Sequence, residues 1–128
     1  KIKLNLILTP SLYAYVAPDP LIYNNFDHTN ISKQKSLSYV VSKSSLPSIT
    51  RFLSATYSSN NHRFNCFVPH GVINNPDPLF VKNFINKSPM RRLPKINEIT
   101  EPSLFLMSNA SSYMNGQSLI IDGGWSII

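Results

Sequence analysis

The sequence predicts an α/β fold in which short buried strands alternate with helices. Two apolar runs indicate strands: residues 2–8, which end shortly before Pro10, and residues 63–68, which Pro69 closes. Runs of this length, bounded by turn residues, are typical of strands that are buried on both faces of a parallel sheet. Between them, Leu37–Tyr57 carries apolar residues at mixed spacings of three and four, which predicts a long helix.

Shorter elements follow the second strand. We expect helices at residues 79–86 and at about residues 97–107, and a last strand at Ser118–Ile121. The second of these helices is expected to turn four apolar side chains inward: Ile99, Leu104, Phe105 and Leu106. It also contains Pro102. An interior proline removes one helix hydrogen bond at a cost of about 3 kcal/mol.

Composition limits the size of the protein and the partners it can have. With 128 residues and 42% hydrophobic side chains, the chain can form one compact domain. The single cysteine, Cys66, excludes an internal disulfide and a thiol cluster for a metal, and its apolar surroundings fit a small buried residue in a reducing cytoplasm. No apolar run reaches the length of a membrane span. We therefore expect a cytoplasmic protein with no metal and no membrane partner.

The net charge of +6 permits a polyanionic partner such as a nucleic acid. The twelve basic residues, however, are spread along the chain, and only four come close to clustering: Lys87, Arg91, Arg92 and Lys95. No aromatic residue is interleaved with these four, as a base-stacking surface would require. The sequence therefore does not predict nucleic-acid binding.

One spacing in the long predicted helix points to chemistry, that between Tyr39 and Lys43. Residues four apart lie on one helix face, about 6 Å apart along the axis. An ammonium group this close to a phenol favours the phenolate, which can exchange a proton with a carbonyl or alcohol oxygen at physiological pH. The same spacing occurs by chance on solvated helix faces, so the pair alone leaves both interpretations open. A kink at Pro47, just beyond, would turn the Lys43 ammonium away from such a site.

Three further stretches surround this pair in a fixed order. They are residues 8–13 at the end of the first strand, residues 63–69, and the ending Asn115-Gly116-Gln117-Ser118-Leu119-Ile120-Ile121-Asp122-Gly123-Gly124-Trp125. Together with Tyr39-x-x-x-Lys43 they resemble the C-terminal half of a short-chain dehydrogenase/reductase, so that residues 1–128 would form the C-terminal portion of that domain. The resemblance implies a partial Rossmann-like parallel sheet of about three strands with flanking helices. It also implies an oxidoreductase that transfers hydride between NAD or NADP and a small-molecule carbonyl or alcohol substrate, and that forms homo-oligomers.

The resemblance implies a role for each residue that matches the motifs of the family. Tyr39 is implied as the acid/base, Lys43 as the residue that assists it and holds the cofactor ribose, and Ser11 as the residue that orients the substrate oxygen. Without the resemblance, Ser11 is more simply a turn residue after Pro10 at the end of a strand.

The turn after the second strand is implied to approach the nicotinamide of the cofactor. Its residues Pro69, His70 and Val72 are therefore implied as cofactor-binding residues, together with Tyr39 and Lys43. His70 stands where the family usually has glycine. A side chain there either crowds the ring and forbids a positive φ, or points outward while the turn adapts.

The remaining observations concern what surrounds this half-site. Residues 17–38 are rich in turn-forming residues and too long for an ordinary loop, and by resemblance they lie near the substrate pocket. His28 within them is either a proton carrier or, more simply, a surface residue. No Gly-rich turn is available to bind a pyrophosphate, because the glycines are few: Gly71, Gly116, Gly123 and Gly124. Since the chain starts with Lys1 and complete members of the family are longer, we expect a fragment whose partner is the missing N-terminal half. The alternative is a truncated, non-catalytic remnant that acts as an interaction module.

Overall fold

The computed structural model describes residues 3–23, 35–58, 61–71 and 77–128. Within these ranges the strands and helices follow the chain in the order β1 (Asn5–Leu8), α1 (Leu37–Tyr57), β2 (Arg63–Pro69), α2 (Pro78–Asn86), α3 (Ile96–Met107) and β3 (Ser118–Ile121). Short 3₁₀ turns occupy Leu12–Ala14, Pro20–Ile22, Asn109–Ser111 and Trp125–Ile127. The predicted α/β fold, with a partial parallel sheet and flanking helices, is confirmed.

β2 is the centre of the sheet, which has the strand order β1-β2-β3 and parallel pairing on both sides of β2. β1 pairs with the first half of β2, from Asn5 opposite Arg63 to Leu8 opposite Cys66. β3 pairs with the second half, starting with Ser118 opposite Cys66. β1 is shorter than the predicted strand because β2 begins at Arg63, which already pairs with Asn5. Residue 2 of that prediction lies outside the described residues.

The two faces of β2 are buried in separate hydrophobic clusters, because successive residues of a strand point to opposite faces. Cys66 and Val68 point to one face, where they share a cluster with side chains from the turns after β1, from α2 and from the C-terminal turn. Phe67 points to the other face and packs with Ile99 and Leu106 of α3. Cys66 is free and fully buried, so its prediction as a small buried residue is confirmed.

α1 approaches the sheet through small side chains rather than through the apolar ones that predicted it. Thr50 is buried, and its Oγ1 lies 3.0 Å from Sγ of Cys66 in β2. Pro47 is buried as well, and α1 runs unbroken across it. Val41 and Phe52 face outward, with 60% and 65% of their surface exposed. The apolar pattern of α1 therefore predicted the helix correctly but does not identify the face that contacts the sheet.

α1 and α2 each begin at a side chain that accepts one of the N–H groups left without a partner inside the helix. In α1, Oγ of Ser36 accepts a hydrogen bond from the N–H of Tyr39 at 3.2 Å. In α2, Oδ1 of Asp77 accepts a hydrogen bond from the N–H of Leu79 at 2.9 Å. No helix in the described part of the chain combines the length and the apolar character needed to span a membrane.

α3 contacts the sheet through a narrow stripe, so only part of its predicted inward set is buried. Ile99 and Leu106 are 9% and 0% exposed. They are seven positions apart, which returns a helix to the same side. Leu104 and Phe105 lie about 140° and 240° around the helix from Ile99. They are 61% and 41% exposed, so the expectation that they point inward is wrong.

The chain after β3 turns sharply around the carboxylate of Asp122. The carboxylate accepts hydrogen bonds from the N–H groups of Gly124 and Ser126, each at 2.9 Å. Burial raises the pKa of Asp122, but the hydrogen bonds from Ser126 and Gly124 outweigh burial and hold the pKa below its ordinary value. Gly124 has a φ of +83°, a conformation that favours glycine. The turn places Trp125 in the core, with 0% of its surface exposed.

His70, the first residue after β2, is buried. Only 3% of its surface is accessible, and its ring packs against that of Phe84 in α2, with the ring centroids 4.7 Å apart. The expectation that His70 points outward is therefore wrong, because α2 supplies an aromatic partner at the end of β2. Its φ is not positive, so the turn accepts a side chain without left-handed backbone. Burial lowers the pKa of His70, whereas the charge of Asp122 acts in the opposite direction.

Acid should destabilise the fold through His70. The pKa of His70 is lowered in the folded state, so as the pH falls the unfolded chain binds a proton before the folded chain does. The stability that His70 contributes is therefore fully present above the ordinary histidine pKa of about 6.5 and is lost as the pH falls below that value. We expect the free energy of unfolding to fall more between pH 7 and pH 5 in the natural chain than in His70→Phe, which keeps a ring but cannot titrate. Urea unfolding followed by circular dichroism measures both slopes. Equal slopes would contradict the prediction.

The open edge of β1 should make the chain associate. Within the described residues β1 pairs with β2 alone, so the N–H and C=O groups on its other edge have no strand partner. An apolar strand with a free edge is a template for pairing with another chain. We therefore expect dimers or larger species in sedimentation velocity, whereas a sharp monomer peak together with a cooperative melt would count against this.

A double variant separates the edge of β1 from the other apolar surface of the chain. Val41 and Phe52 form an exposed stripe on α1. Val41→Glu combined with Phe52→Glu adds charge to that stripe and leaves β1 unchanged. Association through the β1 edge should persist in this double variant, and its loss would assign association to α1 instead.

Candidate active site

A cleft lies at the edge of the sheet where the carboxyl ends of β1 and β2 meet, which is the edge at which open α/β sheets bind ligands. Its volume is about 600 Å³. Turns after both strands, the first half of α1, α2 and the C-terminal turn contribute its lining. The predicted site residues within the described ranges all line this cleft: Ser11, Tyr39, Lys43, Pro69 and His70. Val72 and His28 lie outside the described residues.

Ser11 begins the short turn that leaves β1. Its Oγ accepts a hydrogen bond from the N–H of Tyr13 at 3.2 Å, which is the capping role typical of a serine at a turn. The hydroxyl hydrogen of Ser11 has no acceptor in the described part of the chain, so it is available to an oxygen in the cleft. The turn role and the ligand-binding role of Ser11 are therefore compatible.

Tyr39 lies in the first turn of α1 and is half-buried. Nζ of Lys35 lies 5.0 Å from the centroid of the Tyr39 ring, a cation–π contact at the mouth of the cleft. The ring also packs against the hydrophobic cluster on the α1 side of β2. Among the described residues the Tyr39 hydroxyl has no hydrogen-bond partner, so it is free to exchange a proton with a ligand.

Lys43, one helical turn after Tyr39, directs its ammonium group toward the end of β1. Nζ donates a hydrogen bond to the backbone oxygen of Thr9 at 3.0 Å. The kink expected at Pro47 does not remove Lys43 from the site, since α1 is continuous and Lys43 lines the cleft. An ammonium group has three N–H donors, and Thr9 accepts one of them, which leaves two for a ligand.

Two further tyrosines lie next to Tyr39. The hydroxyls of Tyr13 and Tyr23 are hydrogen-bonded to each other at 3.1 Å. Burial is the main cause that raises the pKa of Tyr13 and of Tyr23, and electrostatic repulsion from Tyr39 raises both further. Both hydroxyls therefore stay protonated at neutral pH, and Tyr13, Tyr23 and Tyr39 line the same cleft.

The inner wall of the cleft is aromatic. The rings of Tyr23, Phe80, Phe84 and Trp125 follow one another with centroid distances of 5.6, 5.5 and 5.6 Å. We refer to these four rings as the aromatic wall. Each pair lies within the range of favourable ring contacts. Nζ of Lys87 lies 4.8 Å from the centroid of the Trp125 ring and covers it from outside the wall.

An ion pair ties the segment that carries Tyr23 to the end of α2. Nζ of Lys87 lies 3.0 Å from Oδ2 of Asp19, and both side chains are partly exposed. Lys87 lowers the pKa of Asp19. Asp19 also accepts a hydrogen bond from the N–H of Leu21 at 2.9 Å and so begins the turn that precedes Tyr23. The pair therefore helps to hold Tyr23 over the cleft.

Sequence reasoning missed the aromatic wall and Lys35. Phe80 and Phe84 are four apart on one helix, a signal that was present but that is also common in helices that only face a core. Tyr23 belongs to residues 17–38, which the resemblance places near the substrate pocket, but no sequence pattern connects it to Trp125 or to α2. In the described ranges no group of three His, Cys, Asp or Glu side chains is arranged to hold a metal ion.

Comparison with known proteins gives matches along most of the chain. A family model described as Enoyl-(Acyl carrier protein) reductase matches residues 22–126. The 2-dehydro-3-deoxy-D-gluconate 5-dehydrogenase of Dickeya dadantii is 33% identical over 94 residues, which are 69% of this chain and 37% of that protein. The glucose 1-dehydrogenase of Gluconobacter oxydans is 32% identical over 114 residues, which are 84% of this chain and 42% of that protein.

The fold also matches solved structures of complete dehydrogenases. A short chain dehydrogenase from Leptospira borgpetersenii, solved with bound NAD+, superposes with a TM-score of 0.81 at 28% identity, and the match covers 94% of this chain and 43% of that one. The chain spans less than half the length of these relatives. Because the family model covers most of the sequence and the sheet superposes on that of a solved member, this chain belongs to the short-chain dehydrogenase/reductase family.

Proposed function

We propose that this chain carries the substrate side of an NAD(P)-dependent oxidoreductase, in which hydride passes between a nicotinamide and a small carbonyl or alcohol substrate. The observation that carries the proposal is that Ser11, Tyr39 and Lys43 line one cleft in a chain of this family. The relatives described above are dehydrogenases by name, which supports the reaction class.

In this proposal Tyr39 moves the proton. Its hydroxyl donates a proton to the carbonyl oxygen during reduction and takes the proton back during oxidation. The Lys43 ammonium, one turn away on α1, contributes positive charge to the same cleft. Ser11 donates its free hydroxyl hydrogen to the same substrate oxygen and stabilises the charge that develops on it. Tyr39 and Ser11 therefore bind one oxygen atom, and their two hydrogen bonds orient the carbonyl group.

The residues in the cleft fit the nicotinamide end of a dinucleotide. The two remaining N–H groups of Lys43 and the Tyr39 hydroxyl suit the hydroxyls of a ribose, and the turn at residues 69–71 borders the same cleft. When bound, the nicotinamide supplies the hydride for reduction or accepts it in oxidation. The pyrophosphate requires other groups, because α1 begins at Ser36 and α2 at Asp77 rather than after a Gly-rich turn.

Tyr39→Phe should abolish turnover. The substitution removes the transferable proton and keeps the ring that packs in the cluster, so we expect kcat to fall by about 10²-fold or more, the usual size of a general acid–base contribution. The assay uses the chain joined to a Gly-rich dinucleotide-binding half and follows NAD(P)H absorbance. Tyr57→Phe is the matched control, because Tyr57 is also in α1 but is 50% exposed and outside the cleft. If Tyr39→Phe keeps most of its activity, Tyr39 is not the acid/base.

The chain Lys1–Ile128 by itself should bind NAD(P) only weakly. Each charge-assisted hydrogen bond from Lys43 contributes roughly 1.5–3 kcal/mol, a neutral one from Tyr39 about 0.5–1.5 kcal/mol, and association costs at least about 4 kcal/mol. We therefore expect a dissociation constant in the millimolar range at best. Titration calorimetry with NADH and NADPH measures it. A low micromolar value would reveal a cofactor site that this proposal does not contain.

A further inference from the structure

The cleft has two chemically different ends. Toward α1 it offers hydrogens that are free to bind an oxygen, those of Ser11, Tyr39 and Lys43. Away from α1 lies the aromatic wall, in which Tyr23 and Phe80 have accessible surface, while Phe84 and Trp125 are 8% and 0% exposed and support them from behind. A substrate whose carbonyl oxygen binds Tyr39 must place the groups on its carbonyl carbon along this wall.

The wall offers few polar atoms to a ligand. The hydroxyls of Tyr13 and Tyr23 share one hydrogen bond, so one hydroxyl hydrogen of the pair has no acceptor among the described residues. The ring nitrogens of His70 and Nε1 of Trp125 have no hydrogen-bond partner in the described residues, and they have almost no accessible surface. A ligand hydroxyl placed against the wall beyond the reach of the Tyr13–Tyr23 pair would therefore lose its hydration without gaining a partner, which weakens binding.

The wall begins next to the proposed acid/base. Tyr23 and Tyr39 both line the cleft and pack against the same hydrophobic cluster, so the first ring and the proton donor border the same space. The volume of about 600 Å³ is large enough for a molecule of one or two fused rings. Phe80 and Tyr23 are only half-buried, so their rings have surface available for contact with such a molecule.

We propose that the substrate is an apolar ketone that carries a ring, aryl or alicyclic, or the matching secondary alcohol. This inference rests on the proposed function, because it names the substrate class for the same reaction. It also separates this chain from the relatives above, whose names refer to glucose and to a gluconate derivative. A polyhydroxylated substrate needs a hydrogen-bond partner for each buried hydroxyl, and along the aromatic wall only the Tyr13–Tyr23 hydroxyl pair can supply one.

The experiment compares ketones that share one carbon ring. Cyclohexanone and 2-inosose, a pentahydroxycyclohexanone, differ only in their hydroxyl groups, and 1-tetralone adds a fused aromatic ring. Saturation-transfer NMR titrations on the complete chain, without cofactor, give the three dissociation constants. We expect cyclohexanone to bind at least about tenfold more tightly than 2-inosose, and 1-tetralone to bind more tightly still.

Variants show whether the wall is the binding surface. Phe80→Leu removes one ring and should weaken 1-tetralone by about two- to tenfold, the range of one aromatic contact. Phe80→Tyr keeps the ring and should restore binding, which distinguishes a lost contact from a damaged fold. Phe52→Leu is the matched control, because Phe52 is 65% exposed on α1 and should leave the dissociation constant unchanged.

The outcomes separate this inference from the proposed function. Ring ketones that bind through Phe80 support the inferred ligand class of the pocket, and the absence of Tyr39-dependent turnover would then reject the reaction but not that ligand class. Three results would each overturn the inference. They are binding of 2-inosose as tight as or tighter than that of cyclohexanone, a dissociation constant for 1-tetralone that Phe80→Leu does not change, and no binding of any probe. Tyr39-dependent turnover of a polyhydroxylated ketone would overturn it and leave the proposed reaction intact.

Discussion

The parallel pairing of β2 with both of its neighbours is the interaction on which the rest of the structure depends. Because parallel strands end at the same edge, the pairing brings the turn of Ser11 beside the turn of His70. α1 connects β1 to β2, so it must run back across the sheet, and its first turns lie over the edge where both strands end. The backbone hydrogen bonds between the strands therefore set the distances among the functional side chains, although Ser11, Tyr39 and Lys43 lie outside the paired strands.

The existence of the elements could be predicted from the sequence, but the faces they bury could not. The bounds of α1 agree with its apolar spacing, since periodicity reports that a segment is helical. Its two buried residues, Pro47 and Thr50, are small, and a Cβ added at Gly116 would lie only 3.1 Å from Oγ of Ser54. Such a close approach requires small residues. A prediction based on the spacing of apolar residues assigns small polar residues to the solvent-facing side of the helix. Leu104 of α3 shows the converse, because an apolar residue can remain exposed when the sheet contacts only one stripe.

The candidate site divides in the same way. Tyr39 and Lys43 are close in sequence, so local geometry was sufficient to connect them, and Ser11 follows from its position in a motif at the end of a strand. The aromatic wall combines residues from three distant segments, and no local pattern relates them. His70 was unpredictable for the same reason, since its burial depends on Phe84, which reaches it only after the chain has folded.

The hydrogen bond from Nζ of Lys43 to the Thr9 carbonyl fixes a long, flexible side chain before any ligand is present. Immobilising a lysine normally costs roughly 1.5–2 kcal/mol of rotamer entropy. Folding has already imposed that order here, so a ligand that uses the ammonium group loses none of its binding energy to it. The same restraint makes the cation selective. The Lys43 ammonium can bind an oxygen that lies along its remaining N–H directions. To reach an oxygen displaced from those directions, it would have to break its hydrogen bond to the Thr9 carbonyl.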